Sequence, residues 1–131
     1  MLSARFLIGA IVVAAALAVG SFASAMDTKP FDRQAFETAQ AADKPILIEV
    51  SAPWCPTCRA QAKVLAKLWA EPRFRDFVTF GIDFDSQKDL LRRFNAQVQS
   101  TLIVFKGRQE AGRSTGDTDP ESIAALLEKA I

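Results

Sequence analysis

Residues 46–60 read ILIEVSAPWCPTCRA, and the fold turns on them. Ile46 to Ala52 form a continuous apolar run of strand length, rich in β-branched residues. Such a run suits a strand buried on both faces, as in a parallel sheet. Glu49 interrupts it. Cys55 falls where this strand would end and a helix begin, and Pro56 suits a first helical position, where its missing N–H costs nothing. The helix continues through CRAQAKVLAKLWA. Val64, Leu65, Leu68 and Trp69 line one side of it, while Arg59, Lys63 and Lys67 recur four residues apart on another.

Working outward, Lys29 to Pro45 is helical in its middle. Asp32 or Arg33 begins that helix, Phe36 and Ala39 mark its apolar stripe, and Lys44-Pro45 stops it because a residue before proline avoids helical backbone. Glu71 to Phe77 is a connection with room for one helical turn. Val78 to Asp83 is the next strand, and Asp85 or Ser86 caps a short helix bearing Leu90, Leu91 and Phe94. Ser100 to Gly107 is another buried strand. After the turn at Lys106-Gly107-Arg108, Glu110 to Thr115 pairs back as an antiparallel edge. Thr118 or Asp119, Pro120 and Glu121 start a last helix with Ile123, Leu126, Leu127 and Ala130 inward. This order predicts an α/β fold: a central mixed sheet of about four strands with helices on both faces.

Residues 1–25 read as a leader. Arg5 supplies the positive end, Phe6 to Val19 are uncharged and apolar, and Ala23-Ser24-Ala25 is a small-x-small cleavage pattern. Cleavage after Ala25 is expected, leaving 26–131 as one small domain; a retained membrane anchor is the alternative, although the run is shorter than the roughly 20 residues a span requires. Of the 16 basic residues only Arg5 lies in the leader, so the remainder balance the 15 acidic ones. A near-neutral domain gives no reason to expect nucleic acid or an anionic membrane as a partner. Export places the chain in an oxidising compartment, most simply a bacterial periplasm.

The two cysteines admit three readings: staple, metal site, or electron exchange. The loop they would close is too short to restrain much chain entropy, which disfavours a staple. With no histidine in the chain, cysteine and histidine cannot complete a four-ligand zinc site within one copy. A two-thiolate copper(I) site remains open, because soft thiolates suit that ion.

The WCPTC motif, after a buried strand and at the head of a helix, with a β-α-β-β-α order behind it, resembles the active site of the thioredoxin superfamily. The likeness covers Phe31 to Ile131. It implies a thioredoxin-like fold and a thiol–disulfide oxidoreductase whose redox disulfide is Cys55–Cys58. Cys55, at the helix start, is the expected nucleophile because unpaired N–H groups and the helix dipole favour an anion there. Cys58, one turn deeper and more shielded, is the expected resolving thiol. Glu49 matches the family's buried acid, expected to have a raised pKa and to shuttle the proton of Cys58. Trp54 resembles the family's substrate platform. Pro56 and Thr57 tune the balance of dithiol and disulfide. Their Pro-Thr pair is similar to that of periplasmic reductants in cytochrome c maturation, whose extra insertion this compact chain lacks. Ser100, preceded by Gln99, stands where the family presents a cis-proline. A trans Gln99–Ser100 bond is expected, with the loop's backbone still able to pair with an extended substrate.

The expected function is therefore a periplasmic thiol–disulfide oxidoreductase, a reductant rather than an oxidant. It acts as a monomer on protein thiols and disulfides, carries no cofactor, and is recharged by a membrane-embedded electron donor. A copper carrier on the same scaffold is the competing reading, and a docking domain with incidental redox activity is a third.

Overall fold

The computed structural model describes residues 28–131; the leader lies outside them. The elements are β1 (Lys29–Pro30), α1 (Arg33–Ala41), β2 (Pro45–Ser51), α2 (Pro56–Leu68), β3 (Val78–Asp83), α3 (Lys88–Arg93), β4 (Thr101–Lys106), β5 (Gln109–Thr115) and α4 (Pro120–Glu128), with a 3-10 turn at Pro72–Phe74. The strands form one mixed sheet in the order β1-β3-β2-β4-β5. β2 runs parallel to β3 and antiparallel to β4, so the strand that feeds the cysteines is central. Four strands match the expected ones. The fifth, β1, is two residues paired with Phe80 and Gly81 on the sheet edge. Two residues are too few to show any alternation, and Pro30 is tolerated because an edge strand can spare an N–H.

Alternation along β2 divides the core. Ile46, Ile48 and Val50 face Phe36 of α1, Phe80, Leu91, Phe94 and Phe105. Leu47 faces the other way, onto Leu65 and Leu68 of α2 and Ile123 and Leu127 of α4. Helices therefore cover both faces, α1 and α3 on one side and α2 and α4 on the other. Phe36 stands in an aromatic cluster, with the rings of Phe31, Phe94 and Phe105 centred 5.4–5.5 Å away.

Helix ends differ from expectation at two places. Asp32 does cap α1, accepting from the Ala35 N–H, but α1 stops at Ala41 and not at Lys44-Pro45. Asp43 takes a left-handed φ of 54°, and the N–H groups of Asp43 and Lys44 donate to Gln40 O and Ala39 O. That 5→2 and 6→1 pair is a Schellman ending, which closes a helix without help from the proline. Before α3, the cap position is Gln87 and neither Asp85 nor Ser86. Asp83 accepts from the Asp85 N–H and the Ser86 hydroxyl, which turns the chain ahead of the helix. For α4, Asp119 accepts from the Ser122 N–H as expected.

Candidate active site

Central β2 delivers the chain to Ala52, and the Cys55 N–H closes a turn back to Ala52 O at 3.1 Å. Cys55 is then the N-cap of α2, with Pro56 in its first turn. The two cysteines are disulfide-bonded, their Cα atoms 5.3 Å apart, and the pair packs with Ala52 against Phe84. The Cys58 N–H donates to Cys55 Sγ at 3.1 Å. In the disulfide this sulfur stands where the thiolate of the reduced protein would be. A helix-terminal N–H aimed at it, reinforced by the dipole of a 13-residue helix, favours the charged form of that sulfur.

The expectation that Cys58 is the better shielded thiol does not hold for the disulfide: Cys55 is 1% exposed and Cys58 9%. Phe84 packs on the pair from outside the helix, a tertiary effect that position along a helix does not reveal. The chemical distinction between the thiols rests on the cap hydrogen bond.

Trp54 is 54% exposed, so it is no core residue, yet its position is not free. Its indole Nε1–H donates to Asp85 Oδ2 at 2.8 Å. Asp85 itself stands two residues ahead of Gln87, the cap position of α3. Pro56 is exposed and Thr57 half-buried on the first turn of α2.

Glu49 is half-buried, on the same face of β2 as Leu47 and thus beneath α2. Burial pushes its carboxyl above the usual carboxylate range, opposed by a hydrogen bond from the Thr28 hydroxyl, which donates to Oε1 at 2.9 Å. Gly81, opposite Glu49 in the β3 register, leaves room for this contact: a Cβ there would stand 3.1 Å from Thr28 Cγ2. Thr28, Ser51 and Gly81 also line an open groove, which brings water to the partner of the acid.

Ser100 is buried immediately before β4, and every peptide bond among the described residues is trans. Its φ of +60° lies in the left-handed region. The loop is nevertheless well held. The Ser100 N–H donates to Val50 O at 2.8 Å and the Gly116 N–H donates to Ser100 O at 2.9 Å, while the Ser100 hydroxyl donates to Gln99 O. Gln99 is half-buried, and Val98 beside it is an exposed apolar residue.

Three roles here escaped the sequence reading: the Thr28 bond to Glu49, the Asp85 bond to Trp54, and Gln61 altogether. Gln61 had a signal. The buried positions of α2 are Cys58, Gln61, Leu65 and Leu68, a 3-4-3 spacing in which the polar residue sits on the apolar stripe; Val64 and Trp69 are only half-buried. Among the described residues, no three of His, Cys, Asp or Glu gather as a metal ion requires.

Comparison with known proteins agrees with this geometry. The family model described as Thioredoxin matches residues 27–129. A thioredoxin H-type from Brassica campestris is 30% identical over 91 residues, 70% of this chain and 72% of that protein. The thioredoxin of Alicyclobacillus acidocaldarius is 30% identical over 92 residues, covering 70% and 87%. The crystal structure of Trxlp from Edwardsiella tarda superimposes with a TM-score of 0.74 at 40% identity, covering 77% of this chain and 98% of that one.

Proposed function

This chain belongs to the thioredoxin family and is a thiol–disulfide oxidoreductase, and on that premise we propose that it is exported to the periplasm and reduces disulfides of protein substrates there. The observation that carries the chemistry is the Cys58 N–H directed at Cys55 Sγ at the head of α2. In the reduced protein the Cys55 thiolate attacks one sulfur of the substrate disulfide. The substrate S–S bond breaks, a mixed disulfide forms, and the other substrate sulfur departs as a thiolate. Cys58 then gives its proton to the Glu49 carboxylate and attacks Cys55 Sγ. The second substrate thiolate leaves, both substrate sulfurs take up protons, and two electrons have passed from the Cys55–Cys58 dithiol to the substrate. Glu49 suits the proton step because its raised pKa lies nearer that of a thiol, and the groove beside Thr28 offers the proton a way out.

Substrate is held by the exposed face of Trp54, fixed by Asp85, by the first turn at Pro56 and Thr57, and by the backbone of Gln99 and Ser100. Export rests on the leader pattern of residues 1–25. In that compartment the oxidised protein has no access to soluble cytoplasmic reductants, so a membrane-embedded donor returns it to the dithiol. Cytochrome c maturation or a related thiol reduction is the setting favoured by the Pro-Thr pair.

The test is trapping in intact cells. A Cys58→Ser variant should accumulate mixed disulfides through Cys55 in the periplasmic fraction, carried by a chain that begins at Met26, and mass spectrometry names the substrates. No adducts above the Cys55→Ser/Cys58→Ser control sinks the exchange role, and a full-length chain confined to the cytoplasm sinks the location. Insulin reduction with dithiothreitol should be lost in Cys55→Ser.

A further inference from the structure

Gln61 is 3% exposed on the apolar stripe of α2, one turn beyond Cys58. Burying a carboxamide is unfavourable unless its hydrogen bonds are met, so its partners show what the residue is for. Both are main-chain carbonyls of loops remote in sequence. Nε2–H donates to Ser100 O at 3.0 Å and to Asp117 O at 2.9 Å. Ser100 precedes β4 and Asp117 follows β5, so one side chain ties the thiol-bearing helix to the two loops that enter and leave the hairpin at its open end. The Gly116 N–H donates to the same Ser100 O and closes the knot. A leucine or methionine would satisfy the stripe equally well but could donate to neither carbonyl.

The tie acts where the backbone has most need of it. A non-glycine residue with φ near +60° persists only where its surroundings over-determine it. At Ser100 the carbonyl is held from α2 by Gln61 and the N–H from β2 by Val50.

We propose that Gln61 is a positioning residue for protein substrates: it fixes the Gln99–Ser100 segment relative to the cysteines, so that an extended substrate chain meets Cys55 in register. This rests on the reading above, in which Gln99 and Ser100 hold the substrate. The consequence is selective. A small disulfide needs only the Cys55 sulfur, whereas a protein disulfide is also bound by the loop, and weakening such a contact raises KM and leaves kcat unchanged.

The experiment uses the full chain, reduced with dithiothreitol, as wild type, Gln61→Met and Gln61→Glu. Methionine keeps the length and removes the donors; glutamate replaces them with acceptors. Turnover of insulin gives KM and kcat, and the second-order rate with 5,5′-dithiobis(2-nitrobenzoate) reports the bare reactivity of Cys55. Circular dichroism on the same samples establishes folding. We expect insulin KM to rise roughly tenfold in both variants, with kcat and the small-disulfide rate within about twofold of wild type. An unchanged insulin KM in either folded variant overturns the proposal. So does a parallel fall of insulin and small-disulfide rates, because Gln61 would then act on the sulfur or on the fold. A wild-type chain that reduces no insulin removes the functional reading itself, an outcome distinct from active variants with unaltered KM.

Discussion

Ser100→Pro places at this site the residue that the family resemblance leads one to expect, and the structure predicts that it harms the protein. Proline fixes φ near −65°, whereas Ser100 holds +60°. The ring also removes the N–H that donates to Val50 O at 2.8 Å. Stranding that acceptor at a buried position costs about 1–3 kcal/mol. Rotating φ turns Ser100 O away from Gly116 N–H and Gln61 Nε2–H, two bonds worth about 1 kcal/mol each. Against these losses stand about 1 kcal/mol of relief from left-handed backbone and up to about 1 kcal/mol from a stiffer unfolded chain. The balance is a loss of about 2–3 kcal/mol, and a domain of this size loses roughly 4–8 °C of Tm for each kcal/mol. Thermal unfolding followed by circular dichroism should therefore show a fall of roughly 10–20 °C. Ser100→Gly is the companion measurement. Glycine keeps the N–H and accepts φ of +60°, and its gain there is offset by the entropy of a freer unfolded chain. It should melt within about 4 °C of wild type. A proline variant that melts with the wild type, or a glycine variant that falls as far as the proline one, refutes the reasoning.

Two further outcomes follow from the same structure. Glu49 has its folded pKa raised by burial, so the folded state keeps the proton that the unfolded chain releases near the ordinary value. Its contribution to stability is complete below that ordinary value and is lost as pH rises through the folded pKa. Glu49→Gln should therefore be more stable than wild type at neutral pH, by a margin that shrinks as pH falls through the folded pKa and has closed by about 4.5, and denaturant midpoints at pH 4 and pH 8 check the sign. Phe36→Ala opens a hole among Phe31, Phe80, Phe94 and Phe105, and urea unfolding should report a loss of about 3–5 kcal/mol; a loss below about 1 kcal/mol would mean that the cluster collapses around the missing ring.

Residues 46–60 already contained the strand, the bend and the helix head, because each depends on neighbours in the chain: a run of β-branched residues, a proline with no N–H to lose, a side chain that can cap. Cys55 as N-cap, Pro56 in the first turn, and the starts of α1 and α4 were legible for that reason. So was Glu49, as an acid in an apolar strand. Other features depended on partners that no local pattern names. Asp85 looks like a helix cap, and no neighbour in the chain points to its bond with Trp54, 31 residues earlier. Gln61 looks like one polar residue on an apolar stripe until the ends of β4 and β5 arrive with carbonyls 39 and 56 residues away. The burial of both sulfurs and the left-handed turn at Ser100 belong to the same class. Chain connectivity alone thus determined which sulfur heads the helix. The loop and the ring that surround it were decided by packing, because hydrogen-bond partners remote in sequence are chosen only when the sheet closes.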